Sequence, residues 1–196
     1  MNFTKSLSAV ALAASLTSVA LLPQAQAADY VIDTDGAHAS INFTISHLGY
    51  SYVVGRFNEF TGTFSYDANN PSSNKIEVTV DTASIDSNHT DRDNHVRSSD
   101  YLDVNKFPEA SFVSTRYQDN GDGTGVMYGN LTLFGSTNEI AINVTVVGEG
   151  EDPWGGYRAG FAGTAELNLP DFGMNFNLGP AAETVYMDLH VEGIRQ

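Results

Sequence analysis

The side chains of this 196-residue chain that could do chemistry crowd into one stretch, Thr82 to Thr115, reading TASIDSNHTDRDNHVRSSDYLDVNKFPEASFVST. His89, Asp91, Asp93 and His95 offer imidazole and carboxylate groups of the kind that hold zinc, although their spacing matches no established ligand set. A serine with His95 and an aspartate would supply the parts of a hydrolytic site, but no G-x-S-x-G elbow or comparable nucleophile setting accompanies them. A third reading is a polar rim at the mouth of an apolar cavity, gripping a headgroup whose tail lies inside. The plainest reading is a solvated, charge-laced helix capping one end of a sheet structure. Asp91 and His95, and likewise Asp93 and Arg97, stand four apart and can meet on a helix surface, each pair worth a few tenths of a kcal/mol. The pattern predicts a helical insert over about 90–104, with Asp100 as N-cap of a second turn at Tyr101–Val104. The residues alone leave these readings open.

Whatever the insert does, the flanking chain must position it, and that chain alternates at strand period. Ser40–Ser46 sets Ile41, Phe43 and Ile45 against polar neighbours, and Lys75–Asp81 sets Ile76, Val78 and Val80 against Lys75, Glu77, Thr79 and Asp81. Further strands are expected at Tyr30–Thr34, over Arg56–Tyr66 as one long element, at Ser111–Tyr117, around Met127–Leu133 and Ile140–Val146, and over Tyr157–Leu167 and Thr184–Glu192. The turn signals Asn69-Asn70-Pro71 and Asp119-Asn120-Gly121 separate them. Eight or nine mostly antiparallel strands with one apolar face each fit a closed barrel or a two-sheet sandwich. Short links favour an up-and-down barrel in which only 86–110 is long. Gly62, Gly129 and Gly163 fall in the middle of inward rows, where they either leave space for a ligand or relieve bends.

Composition removes several functions. With 24 acidic and 9 basic residues the chain carries a net charge of −15, which repels nucleic acid and anionic membrane surfaces. It has no cysteine, so thiol catalysis, thiolate metal sites and disulfides are all excluded. Met1–Lys5, the apolar run Leu7–Leu22 and Ala25-Gln26-Ala27 read as a signal peptide over residues 1–27, which implies export to the periplasm. The remainder, 28–196, suits one domain with a single core. No later run is apolar enough to predict stable membrane insertion.

Several motifs together resemble the YceI-like family of lipocalin-type polyisoprenoid-binding proteins. They are Phe43-Thr44-Ile45-Ser46-His47-Leu48-Gly49; Gly55-Arg56-Phe57 through Phe60-x-Gly62-x-Phe64; Ala83-Ser84-Ile85-Asp86; Arg92-Asp93-x-His95-x-Arg97-Ser98-x-Asp100; Phe107-Pro108-Glu109-Ala110-Ser111-Phe112; Gly129 to Thr137; and Asp171-Phe172-Gly173-Met174. The resemblance spans about Tyr30 to Ile194 and implies an extended, lipocalin-like all-β up-and-down barrel with a long apolar tunnel. It implies a bound polyisoprenoid, isoprenoid quinone, or fatty acid or amide in place of any cofactor, and no catalytic residues. On it, Phe43, Ile45, Phe57, Phe60, Phe64, Phe112, Leu131, Leu133, Phe161, Phe172 and Met174 would line the tunnel. His47, Arg92, His95, Arg97 and Ser98 would form its polar mouth, and a homodimer of two barrels is compatible with it. The alternatives are a solidly packed, stress-related interaction module, or a metal-dependent enzyme at 89–100. Leu169-Pro170, Phe134 and Asn138-Glu139 stand where the family often carries basic residues or Lys-Pro. A neutral headgroup therefore suits the chain better than pyrophosphate.

Overall fold

The computed structural model describes residues 27–176 and 179–196, so the expected leader lies, Ala27 apart, outside the described part. Eleven strands follow in chain order: β1 (Ala28–Ile32), β2 (Ser40–His47), β3 (Ser51–Phe57), β4 (Phe60–Tyr66), β5 (Lys75–Asp81), β6 (Ile85–Asp86), β7 (Glu109–Asp119), β8 (Thr124–Leu133), β9 (Ser136–Glu151), β10 (Tyr157–Asn168) and β11 (Thr184–Arg195). One α-helix, α1 (Thr90–Arg97), stands between β6 and β7. The strands form one antiparallel sheet in which β1, β4, β5, β7, β8, β9, β10 and β11 are successive neighbours, and β1 pairing with β11 closes a ring of eight. The expected barrel is the observed one. Among the described residues no helix is long and apolar enough to cross a membrane.

Three staves of this barrel are each made in two pieces. β11 pairs with β1 through Gly193, Ile194 and Arg195, then with β2 from Val185 to His190. β4 pairs with β1 and β5, whereas β3 pairs with β2 and, at Arg56 and Phe57, with β6. This corrects the reading of Arg56–Tyr66 as one strand. The stave starts at Ser51 and breaks at Asn58-Glu59, because its two halves serve different neighbours. The interrupted backbone stays satisfied: Asn58 N–H donates to the Ser84 carbonyl at 3.2 Å, and Asp81 N–H to that of Glu59 at 3.0 Å. The helical insert is also shorter than expected. It ends at Arg97, and hydrogen-bonded turns carry the chain through 98–106.

The first break is stapled by an ionic network that the sequence analysis did not single out. Where the chain leaves the sheet, Asp33 N–H donates to the Glu192 carbonyl at 2.8 Å. Arg158 on β10 then donates from Nη1 to Asp33 Oδ2 and Glu192 Oε1, both at 2.6 Å, and from Nε to Asp152 Oδ2 at 2.9 Å. His38 Nδ1 lies 2.9 Å from the same Asp33 oxygen. Asp33 and Asp152 are almost fully buried, so removing the guanidinium strands two carboxylates out of water. Hydrogen bonds from His38, from Arg158 and from the Gly36 N–H hold the Asp33 carboxyl down at about 2.

Arg158→Met is expected to lower the thermal midpoint by at least roughly 5 °C, measured by circular dichroism. A smaller drop would show that the network is ornamental. Asp33 is more acidic folded than unfolded, so its contribution is complete above its ordinary value of 3.8 and is lost as pH falls from there towards about 2. Urea midpoints of Asp33→Asn should therefore lie below those of the unmodified protein near pH 6 and converge with them towards pH 2.

Candidate functional site

Along β5, β9 and β11 the outer row is exposed, and the inward row, although apolar, is not completely buried either. Ile76, Val78, Val80, Ile140, Ile142, Val144, Val185, Met187, Leu189 and Val191 all keep part of their surface accessible. Two groups of buried residues bracket this zone. One gathers Tyr30, Ile32, Phe64 and Ala159 beneath β1, with Tyr30 stacked on Phe64 at 4.7 Å between ring centres. The other gathers Ile85, Leu102, Leu169, Phe172 and Met174 beneath the insert. A cavity of about 100 Å³ opens in the barrel, walled by Phe64, Tyr66, Ile76, Tyr117, Met127, Ile142, Val144, Phe161, Leu189 and Val191. Ser65, Asn74 and Lys75 stand at it too, but the surface that faces the cavity is almost wholly apolar.

The inward glycines answer the question that the alternating rows raise. Gly129 is filled by the Phe112 ring, Gly55 by Phe43, Gly193 by Phe64 and Gly125 by Tyr117, so rings lie on cross-strand backbone that any Cβ would displace. Gly62 receives the Ile32 Cδ1, which would stand 2.7 Å from an added Cβ. Gly163 is the least occupied of the three singled out, with Ile142 and Leu189 beside it, and it lies in the cavity wall. The ladder shifts register at Ser114/Arg116 and Gly160/Phe161. None of the three glycines is one of these shifted residues.

The residues expected to line a tunnel divide between the two groups. Phe60, Phe64 and Phe161 belong with the β1 group, and Phe64 and Phe161 also face the cavity. Phe43, Ile45, Phe57, Leu131, Leu133, Phe172 and Met174 belong with the group under the insert. Phe112 lies across Gly129. Most other walls, Met127, Ile142, Val144, Leu189 and Val191, belong to rows whose alternation was already visible in the sequence.

The residues expected at a polar mouth are largely spent on backbone. Asp93 is buried and accepts from the Ser87 N–H at 3.0 Å and from the Ser87 hydroxyl. Burial pushes its carboxyl up, but the bonds from Ser87 and from the backbone outweigh burial, and its pKa is lowered. Arg92 donates from Nε to Ser87 Oγ at 2.7 Å and from Nη2 to the Ser87 carbonyl at 2.6 Å. Arg97 donates from Nε to the Ala83 carbonyl at 2.7 Å and from Nη2 to that of Ile85. Ser98 Oγ donates to the His95 carbonyl at 2.6 Å. His95 is exposed, 3.4 Å from Asp100 and edge-on to Tyr101. His47 is exposed at the end of β2. The expected pairs Asp91–His95 and Asp93–Arg97 do not form, because Asp93 and Arg97 turn towards the 83–87 strap. His89 caps α1, its Nδ1 accepting from Arg92 N–H at 3.2 Å. Among the described residues only Asp33, His38 and Glu192 converge as three metal-type ligands, and the Arg158 cation already occupies that cluster.

The sequence profile of the YceI-like domain matches residues 30–193. A UPF0312 protein of Shewanella baltica (strain OS185) is 60% identical over 172 residues, covering 88% of this chain and 90% of its own. Among solved structures, BcnA of Burkholderia cenocepacia is similar with a TM-score of 0.71 at 21% identity, covering 82% of this chain and 98% of its own. A polyisoprenoid binding domain from Saccharophagus degradans, implicated in plant cell wall breakdown, is similar with a TM-score of 0.59 at 13% identity, covering 85% of this chain and 98% of its own.

The geometry of the insert separates its structural members from its exposed ones. Asp93→Ala should cost about 2–3 kcal/mol in urea unfolding, because it orphans the buried Ser87 N–H and hydroxyl. His95→Ala, on the exposed face, should stay within about 0.5 kcal/mol. Equal costs would contradict this division.

Proposed function

The chain belongs to the YceI-like family, and from that premise we propose that it is a non-catalytic carrier that holds a long apolar amphiphile inside its barrel. The amphiphile class is a polyisoprenoid, an isoprenoid quinone, or a fatty acid or amide, taken up for transport, storage or scavenging in the periplasm. One observation carries the reading. Apolar rows on β5, β9 and β11 face inward yet remain partly accessible around an apolar cavity, which is unfavourable for a protein with nothing to place there. The cavity of about 100 Å³ has room for only about three water-sized groups, so a long chain must displace wall side chains. Met127 is the adaptable one among them. The net charge of −15 weighs against a polyanionic headgroup.

A second reading, a packed interaction module without a ligand, draws support from the rings seated on Gly55, Gly125, Gly129 and Gly193, which fill space that glycines would otherwise leave. Native mass spectrometry of the exported protein, followed by lipid extraction, decides between them. A carrier should co-purify with an amphiphile or take up prenyl chains or quinone after delipidation. Leu189→Trp, which fills the cavity, should lower that uptake at least about tenfold, whereas Thr79→Trp on the outer face of β5 should not. Uptake of nothing by the delipidated protein would favour the packed module.

A further inference from the structure

The wall of the barrel has a window. The β9–β10 ladder runs from Tyr157 opposite Glu151 to Thr164 opposite Asn143 and stops, although both strands continue. Beyond that point β9 stays paired with β8, as at Ile140 opposite Gly129, and β10 stays paired with β11, as at Leu167 opposite Val185. Among the described residues two strand edges therefore face each other unpaired, and alternate N–H and C=O groups on each point into the space between. That space has a volume of about 590 Å³, much larger than the central cavity. Ile140, Leu167, Phe172 and Met187 give it an apolar side, and Ile140 and Phe172 belong to the group packed under the insert. Asn143, Thr164, Glu166 and Asn168 give it a polar side. At its foot Asn138 Nδ2 of β9 donates to the carbonyl of Asp171, just beyond the end of β10, at 2.8 Å.

We propose that this window is the headgroup subsite of the carrier, and that it selects headgroups that bear no negative charge: an alcohol, an amide, a quinone or an amine. The inference rests on the carrier reading and adds where the polar end sits and what it is. An amphiphile whose tail lies among the inward rows has to put its polar end where polar partners and water meet apolar side chains, and the window is lined by both. No lysine, arginine or histidine lines it. Glu139 is turned to Arg116 and Thr115 on the outer face, and Asp171 accepts from Asn168 Nδ2 at 2.8 Å. Glu166 has no hydrogen-bonding or ionic partner among the described side chains and is exposed at the rim. A free carboxylate with no cation beside it repels phosphate, pyrophosphate and carboxylate, while the alternate N–H and C=O groups of the strand edges can bond a neutral headgroup. Arg92 and Arg97 of the insert do not line the window and are engaged with the backbone of Ser87, Ala83 and Ile85.

The test uses the delipidated full chain and amphiphiles of one alkyl length bearing hydroxyl, amide, amine or phosphate, ranked by native mass spectrometry. The first three should bind at least about tenfold tighter than the phosphate. Glu166→Arg should shrink that preference to within about threefold, while Glu77→Arg, the same charge change on the outer face of β5, should leave it intact. A photoreactive amide headgroup should label 139–143 and 164–168. Equal binding of the phosphate, an equal shift in both variants, or labelling at 92–98 would overturn the window while leaving a carrier. Binding of none of the amphiphiles would overturn the carrier reading, and the window with it.

Discussion

β11 has twelve residues to pair and no single partner long enough on its inner flank, and the architecture follows from that constraint. Backbone N–H and C=O groups in a barrel wall must be paired, so β1 serves Gly193–Arg195 and β2 serves Val185–His190. The chain between them has to leave the sheet at Asp33, and the guanidinium of Arg158 fills the junction with three carboxylates around it. The division then propagates. β4 follows β1 and β3 follows β2, so their common stave breaks at Asn58-Glu59. β5 follows β4 and β6 follows β3, so the next stave breaks at Thr82-Ala83-Ser84 and turns outward into the insert.

The crowding of polar residues in the insert acquires a structural reason from this. β6 has two residues and pairs only with β3, whereas β7 rejoins the sheet on β5 at Asp81 opposite Glu109. Between them side chains stand in for the missing ladder. Thr82 Oγ1 donates to the Phe107 carbonyl at 2.7 Å, and Thr82 N–H to that of Pro108 at 2.9 Å. Arg92 and Arg97 take the carbonyls of Ser87, Ala83 and Ile85, and Asp93 takes the Ser87 N–H. Such a network is stable only when each member is satisfied, and no buried side-chain nitrogen or oxygen among the described residues lacks a partner. The cluster that looked most like an active site is chiefly a seam.

Strand period was legible wherever a strand keeps one pair of neighbours throughout. Lys75–Asp81 has the bounds that its alternation predicts, and the inward rows of β9 and β11 follow theirs. Period fails where partners change: Phe57 and Phe60 are three apart, so the inward row shifts phase across Asn58-Glu59, and the neighbouring strands fix the break there. It fails again beyond Asn143 and Thr164, where alternation runs on unchanged while the ladder stops. The Arg158 network was invisible for another reason. Asp33 and Arg158 are 125 residues apart, and nothing local marks an arginine that will meet a buried carboxylate. In the insert the four-residue spacings were real, but local pairing worth a few tenths of a kcal/mol lost to orphaned backbone groups worth more.

The same ranking of energies bears on recognition. In the insert Arg92 donates to the hydroxyl and the carbonyl of Ser87, and Arg97 to the carbonyls of Ala83 and Ile85. The other buried guanidinium, Arg158, is shared among Asp33, Glu192 and Asp152, which hold its pKa above the ordinary arginine range through three hydrogen bonds. Arg116 lies over the Tyr128 ring at 3.2 Å and beside Glu139. With Arg92, Arg97, Arg116 and Arg158 drawn into its own framework and a net charge of −15, this barrel suits the proposed apolar cargo better than a polyanionic headgroup. On the proposed carrier reading, discrimination against a negative headgroup comes from the missing cations at the window, where the strand edges leave both N–H and C=O groups for a neutral one.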